Sequence, residues 1–110
     1  MSRHRTYSKH TLEAITLLGK QIRLGRKQRK WTEQNLADRA GVSRATLQKI
    51  EKGATTCAIG LVFETAMLVG VNLFNKDNSP LKNNIEQIRD KIALLPQRIQ
   101  TETRKVDDDF

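Results

Sequence analysis

This chain has little of what most enzymes and secreted domains are built from. Among its 110 residues there is one cysteine, two prolines and five aromatic residues. A single cysteine excludes an internal disulfide and any cysteine-based zinc site, and it fits a reducing compartment, the cytoplasm. Few aromatics argue against a base-stacking platform for RNA or single strands. The longest unbroken apolar run is four residues, so no segment spans a bilayer. MSRHRTYSKH is basic but leads into an amphipathic stretch, unlike the apolar core of a signal peptide. His4 and His10 have no second ligand at helical spacing, and no phosphate-binding glycine loop, paired-carboxylate pattern or nucleophile elbow occurs. No enzyme activity, metal or cofactor is expected.

What is present is positive charge, unevenly placed. The net charge is +8. Residues 1–53 hold thirteen basic and four acidic residues, whereas residues 54–110 hold seven and eight. A first half at +9 and a second at −1 point to a polyanion-binding face and a separate segment with another role.

The apolar periodicity is helical throughout, so the expected fold is all-α. A first helix begins near Thr11 as its cap, with Leu12, Ile15, Leu18 and Ile22 as its apolar stripe. From Lys20 to Lys30 this helix carries Lys20, Arg23, Arg26, Lys27, Arg29 and Lys30 with no acid among them. Like charges at these spacings cost helix stability unless a phosphate backbone neutralises them. Thr32 caps a short second helix, Glu33 to Ala40, whose Leu36, Ala37 and Ala40 face inward. Gly41 suits a sharp left-handed turn, Val42 plugs the corner, and Ser43 caps a third helix, Arg44 to Lys52. Leu47 and Ile50 are its core face. The opposite face, with Arg44, Ala45, Gln48, Lys49 and Lys52, is short, polar and basic, and fits a major groove. A fourth helix, about Ala58 to Val69, is capped by Thr55 or Thr56. Val62, Phe63, Ala66 and Val69 form its core face, while Leu61, Met67 and Leu68 extend apolar surface further than one core requires. Asn75 to Ser79 is a polar connector. Ser79-Pro80 starts a fifth helix whose Leu81, Ile85, Ile88, Ile92 and Leu95 make two heptads of a seam that ends at Pro96. The implied layout is a basic arm at 1–10, a DNA-binding domain at 11–74, a connector and amphipathic helix at 75–95, and a flexible tail at 96–110.

Residues 18–53, LGKQIRLGRKQRKWTEQNLADRAGVSRATLQKIEKG, closely resemble the Cro/repressor-type (XRE-like) helix-turn-helix family. Matching positions include Leu18-Gly19, Ile22-Arg23, Arg26, Thr32, Leu36-Ala37, Gly41-Val42-Ser43, Ile50-Glu51 and Gly53. The resemblance implies a compact lambda-repressor-like bundle whose third helix enters the major groove of double-stranded DNA. Arg44, Ala45, Gln48 and Lys49 then meet base edges, and Lys27, Lys30, Thr32, Gln34, Ser43, Thr46 and Lys52 meet phosphates. Arg26 takes a family position that pairs with a glutamate, here Glu51, although a phosphate contact is the alternative. Glu33 departs from the usual glutamine, and its carboxylate repels a phosphate unless Lys30 or another base offsets it. Arg3 and Arg5 can form an arm in the minor groove, or the start of the chain is simply disordered.

The second half resembles repressor-like proteins encoded with HipA-type kinase toxins, on Leu95-Pro96, the basic stretch from Gln97 to Lys105 and the ending Val106-Asp107-Asp108-Asp109-Phe110. This implies a HipB-type antitoxin that represses its own operon as a homodimer on a palindromic operator. Its partner would be a HipA-like kinase, or a split-off small subunit in a three-component variant. Leu61, Met67, Leu68, Leu81, Ile85, Ile88, Ile92 and Leu95 are the expected dimer or partner surface. A stand-alone phage-like repressor, or an interaction module on the same scaffold, are the alternatives.

Overall fold

The computed structural model describes residues 5–74 and 79–97. Arg3 of the expected arm, most of the connector and the acidic tail lie outside the described residues. Five helices and no strand occur among the described residues: α1 Lys9–Gln28, α2 Glu33–Ala40, α3 Arg44–Lys52, α4 Ile59–Leu68 and α5 Leu81–Ala93. The chain divides into two compact units, residues 1–73 and 74–110.

In the first unit α1 packs on α3 and α4, and α2 packs on the same two helices. The core is small, and its buried hydrophobic residues are all aliphatic. Ile22, Leu36, Ala37, Leu47, Ile50, Ala66 and Val69 are buried, with Leu18, Trp31, Val42, Cys57, Val62, Leu68, Val71 and Leu73 packed around them. Each fully buried Leu or Ile contributes roughly 1.5–3 kcal/mol. α1 is 20 residues long, and its buried positions, Gly19, Ile22, Gly25 and Arg26, all lie in its second half. Leu12, expected on the apolar stripe, is therefore 42% exposed.

Three helix starts differ from expectation. Ser8, not Thr11, caps α1, because its hydroxyl accepts from the Thr11 backbone N–H at 3.1 Å. Thr11 is three residues into the turn and supplies the donor. Ala58 is the N-cap of α4 with no side-chain hydrogen bond, so Thr55 and Thr56 do not cap it. Pro80, not Ser79, is the N-cap of α5, again without a side-chain bond.

Close approach decides one sequence choice. A Cβ built on Gly19 would lie 2.6 Å from the Ile50 carbonyl oxygen and 2.8 Å from that of Glu51. Any side chain there would push α1 off the end of α3. At the end of α1 a non-glycine residue, Lys30, holds a left-handed φ of 60°. The Trp31 N–H reaches back to the Arg26 carbonyl at 3.2 Å, closing a Schellman-type turn.

The second unit is described through α5. Leu81, Ile85, Ile88 and Ile92 share one face with Phe74 nearby, and they line an open groove of about 610 Å³. Every residue from Leu81 to Gln97 is exposed. A helix of 13 residues whose apolar face is exposed among the described residues is marginal in water.

Gly19→Ala should destabilise the first unit by roughly 1–3 kcal/mol, as overpacking does. Lys30→Gly should stabilise it by about 1 kcal/mol by relieving the left-handed backbone. Urea unfolding followed through Trp31 fluorescence checks both.

Candidate nucleic-acid interface

The interface rests on how α2 and α3 are set against each other and against α1. Thr32 caps α2 with a capping box, its hydroxyl accepting from the Asn35 N–H at 3.0 Å while Asn35 Oδ1 accepts from the Thr32 N–H at 3.3 Å. Gly41 turns the chain at φ 73°, where a residue with a Cβ pays a steric penalty. The Ser43 hydroxyl then accepts from the Thr46 N–H at 3.0 Å and donates to Thr46 Oγ1 at the same distance. Leu47 and Ile50 fix the inner face of α3. Arg44, Ala45, Lys49 and Lys52 are left exposed and Gln48 half-buried.

A buried ion pair anchors the other end of α3. Arg26 Nε donates to Glu51 Oε2 at 2.7 Å and Nη2 to Glu51 Oε1 at 3.0 Å, while Nη1 donates to the Trp31 carbonyl at 3.0 Å. Both side chains are less than a tenth exposed. The hydrogen bond to Glu51 outweighs burial and raises the Arg26 pKa. The bonded guanidinium is thus part of the fold, and no phosphate contact is needed to account for it.

The basic stretch of α1 divides into two groups. Arg26 is buried, whereas Arg29 stays exposed while donating through Nη1 to the Val69 carbonyl at 2.7 Å. Trp31 lies between cations, with the Arg39 guanidinium 4.0 Å and that of Arg29 5.8 Å from its ring centre, a favourable cation–π arrangement. Of the basic residues from Lys20 to Lys30, Arg26 is withdrawn into the interior and Arg29, though exposed, is bonded to the end of α4, while Lys20, Arg23, Lys27 and Lys30 face solvent.

Two polar clefts collect the candidate residues. One, of about 580 Å³, is lined by Arg23, Arg26, Lys27, Thr32, Glu33, Gln34 and Arg44 at the N-terminus of α2. The other, of about 300 Å³, is lined by Arg23, Glu33, Gln48, Glu51 and Lys52. Arg23 borders both, yet sequence reasoning did not assign it a site. The signal was the 3, 4 spacing of Lys20, Arg23 and Lys27, which puts all three on one side of α1. A helix N-terminus ringed by cations is suited to a phosphate oxygen.

Several expected phosphate contacts carry internal bonds. Gln34 Nε2 donates to Asp38 Oδ1 at 2.8 Å, and the Ser43 hydroxyl hydrogen is committed to Thr46. Thr32 keeps its own O–H, and Lys27, Lys30 and Lys52 are exposed. Glu33 is offset by Arg44, not Lys30: Oε1 accepts from Arg44 Nε at 3.1 Å and from Gln48 Nε2 at 2.9 Å. These bonds, Gln48 first and Arg44 second, lower the Glu33 pKa. The stability they add is present above the ordinary carboxylate range and is lost as pH falls through the lowered value.

On the remaining surface Leu61 and Met67 of α4 are 38% and 59% exposed, joined by Ile59 at 69%, which sequence reasoning overlooked. Leu68 instead packs against the core, because it sits beside Val69 on the inward side of α4. In the second unit Leu81, Ile85, Ile88, Ile92 and Leu95 are 41–65% exposed.

Residues 22–60 match the family model described as helix-turn-helix, HTH_3. This supports a helix-turn-helix domain of the Cro/C1/XRE type, a DNA-binding unit of transcription regulators. A solved structure titled MDT Protein is 22% identical and superposes with a TM-score of 0.50 over 70% of this chain and the whole of that one. At that identity the likeness is one of fold. Comparison with curated proteins finds no match. Among the described residues no helix is long and apolar enough to cross a membrane.

Arg26→Met should cost about 3–5 kcal/mol, because it strands a buried carboxylate. The double variant Arg26→Met with Glu51→Met should recover part of that loss. Chemical unfolding of the three variants against the parent checks the order.

Proposed function

We infer that this chain is a sequence-specific transcriptional repressor that binds a palindromic operator as a homodimer. The observation that carries the reading is the exposed polar, basic face of α3 beside a cation-rich cleft at the start of α2, on a helix-turn-helix. In a major groove Arg44 or Lys49 donates to guanine O6 and N7, Gln48 pairs with adenine, and Ala45 meets a thymine methyl. Lys27, Lys30, Thr32, Gln34, Ser43, Thr46 and Lys52, with Arg23, position the domain on phosphates. One short helix reads too few base pairs for useful specificity. A two-fold pair with recognition helices about 34–36 Å apart reads two half-sites.

The seam of α5 and the apolar residues of α4 supply the surface for a second copy and for a protein partner. Following the resemblance of the second half, the repressor serves as the antitoxin of a HipA-like kinase operon, binding the kinase or its split-off small subunit. It acts in the cytoplasm, on its own promoter.

Arg44→Ala should relax base preference at one position per half-site by about 1–3 kcal/mol. Lys27→Ala should weaken binding to all sequences alike and lower the salt slope by about 1. Titration of operon-promoter and random duplexes at two salt concentrations separates the roles; equal losses on both duplexes for both variants contradict them. Deleting residues 80–110 should weaken self-association or partner capture, read by sedimentation and by co-purification with the neighbouring operon products. A full-length chain that stays monomeric at micromolar concentration overturns the dimer.

A further inference from the structure

Glu33 stands at the first position of α2 and borders both polar clefts, the larger of which is rich in cations. By charge alone it is the wrong residue for a polyanion face, since a carboxylate only accepts hydrogen bonds and is repelled by phosphate. Its bonds give it another use. A single oxygen, Oε1, accepts from both Arg44 and Gln48. These two residues lie four apart, one turn of α3, on the face that would meet bases.

The way each donor is used matters. Arg44 commits its Nε, and its two terminal nitrogens make no hydrogen bond among the described residues. Those terminal nitrogens are the fork that matches guanine O6 and N7. Gln48 commits one N–H of its amide. An amide has a donor end and an acceptor end of nearly the same shape, and a carboxylate admits only the donor end. Glu33 therefore fixes which way the Gln48 amide lies, leaving Oε1 and the second N–H for an adenine edge. A long side chain ordered before DNA arrives also loses less freedom on binding.

We propose that Glu33 is a specificity-determining positioning residue, whose carboxylate joins Arg44 and Gln48 into one reading unit for neighbouring base pairs. This rests on α3 being the recognition helix. The carboxylate weakens attraction to DNA of any sequence and sharpens the choice among sequences.

The test uses the full-length chain, Glu33→Gln and Glu33→Asp. Each is taken through selection from a randomised palindromic duplex library, then titrated against the parent's selected duplex and a random duplex. Circular dichroism checks that helix content is retained. Glu33→Gln removes a charge and the ion pair, so binding to random duplex should tighten several-fold while the ratio of selected to random affinity falls about tenfold or more. Enrichment should fade at two positions per half-site, those read by Arg44 and Gln48. Glu33→Asp keeps the charge and withdraws the carboxylate by one methylene. Its ratio should fall through weaker binding to the selected duplex rather than tighter binding to random DNA. If Glu33→Gln tightens both duplexes by the same factor and keeps the parent's base preference, Glu33 acts as a charge alone and the proposal is overturned. If Glu33→Asp matches the parent ratio, the geometry is irrelevant and the proposal is again overturned. A parent chain that enriches no sequence overturns the recognition-helix reading itself, a result distinct from both of these.

Discussion

The bidentate bridge between Arg26 and Glu51 is the contact on which the first unit is organised. Three of the guanidinium's nitrogens are used, two on the carboxylate at the end of α3 and one on the Trp31 carbonyl just before α2. One side chain of α1 thereby ties together the three segments that build the helix-turn-helix. The carboxylate and guanidinium are both out of water, so neither is tolerable without the other. Gly19 belongs to the same joint, two turns earlier, because its missing side chain lets α1 lie against the last carbonyls of α3. With its C-terminal end anchored in this way, α3 presents its other end outward at a set angle to the solvent-facing cations of α1.

That anchoring changes the meaning of the charge. The first half carries +9, but its cations do different work. Arg26 is buried, Arg29 reaches the end of α4, and Arg39 stacks on Trp31. Lys20, Arg23, Lys27, Lys30, Lys49 and Lys52 are exposed, and Arg44 is exposed but leashed to Glu33. Of the first group only Arg26 is withdrawn from water; electrostatic attraction to a polyanion falls mainly to the second group, whose cations carry fewer internal bonds. The acid among them orders the helix face at the expense of a little attraction, a division between selectivity and affinity.

The second unit follows a different rule. Its helix has an apolar face that stays exposed among the described residues, and a groove of that kind gains by being covered. The proposed split of labour, DNA through the first unit and protein through the second, fits the division of charge along the chain.

Much of this fold is legible in the sequence because it is local. Helical spacing of Leu36-Ala37, Leu47-Ile50 and Ala66-Val69, a glycine at the corner, and Thr32 and Ser43 as caps depend on residues within a few positions of one another. The chain alone was less informative at helix starts, where Ser8 and Thr11 are both good caps and the helix begins at the earlier one. It was silent where partners are distant. Arg26 and Arg29 look like two more members of a basic stripe until helices far apart in sequence place Glu51 and the Val69 carbonyl within reach. The Arg26–Glu51 pairing was legible through a family resemblance, not through spacing. Glu33 looks like a liability until α3 turns Arg44 and Gln48 toward it across eleven and fifteen residues. The sequence by itself determined the helices, their inward faces and the half of the chain that is positive, because these follow from periodicity and composition. Tertiary structure alone decided which charges remain for a ligand and which are spent inside. A side chain's partner is set by where other helices lie in space, and no local pattern encodes that.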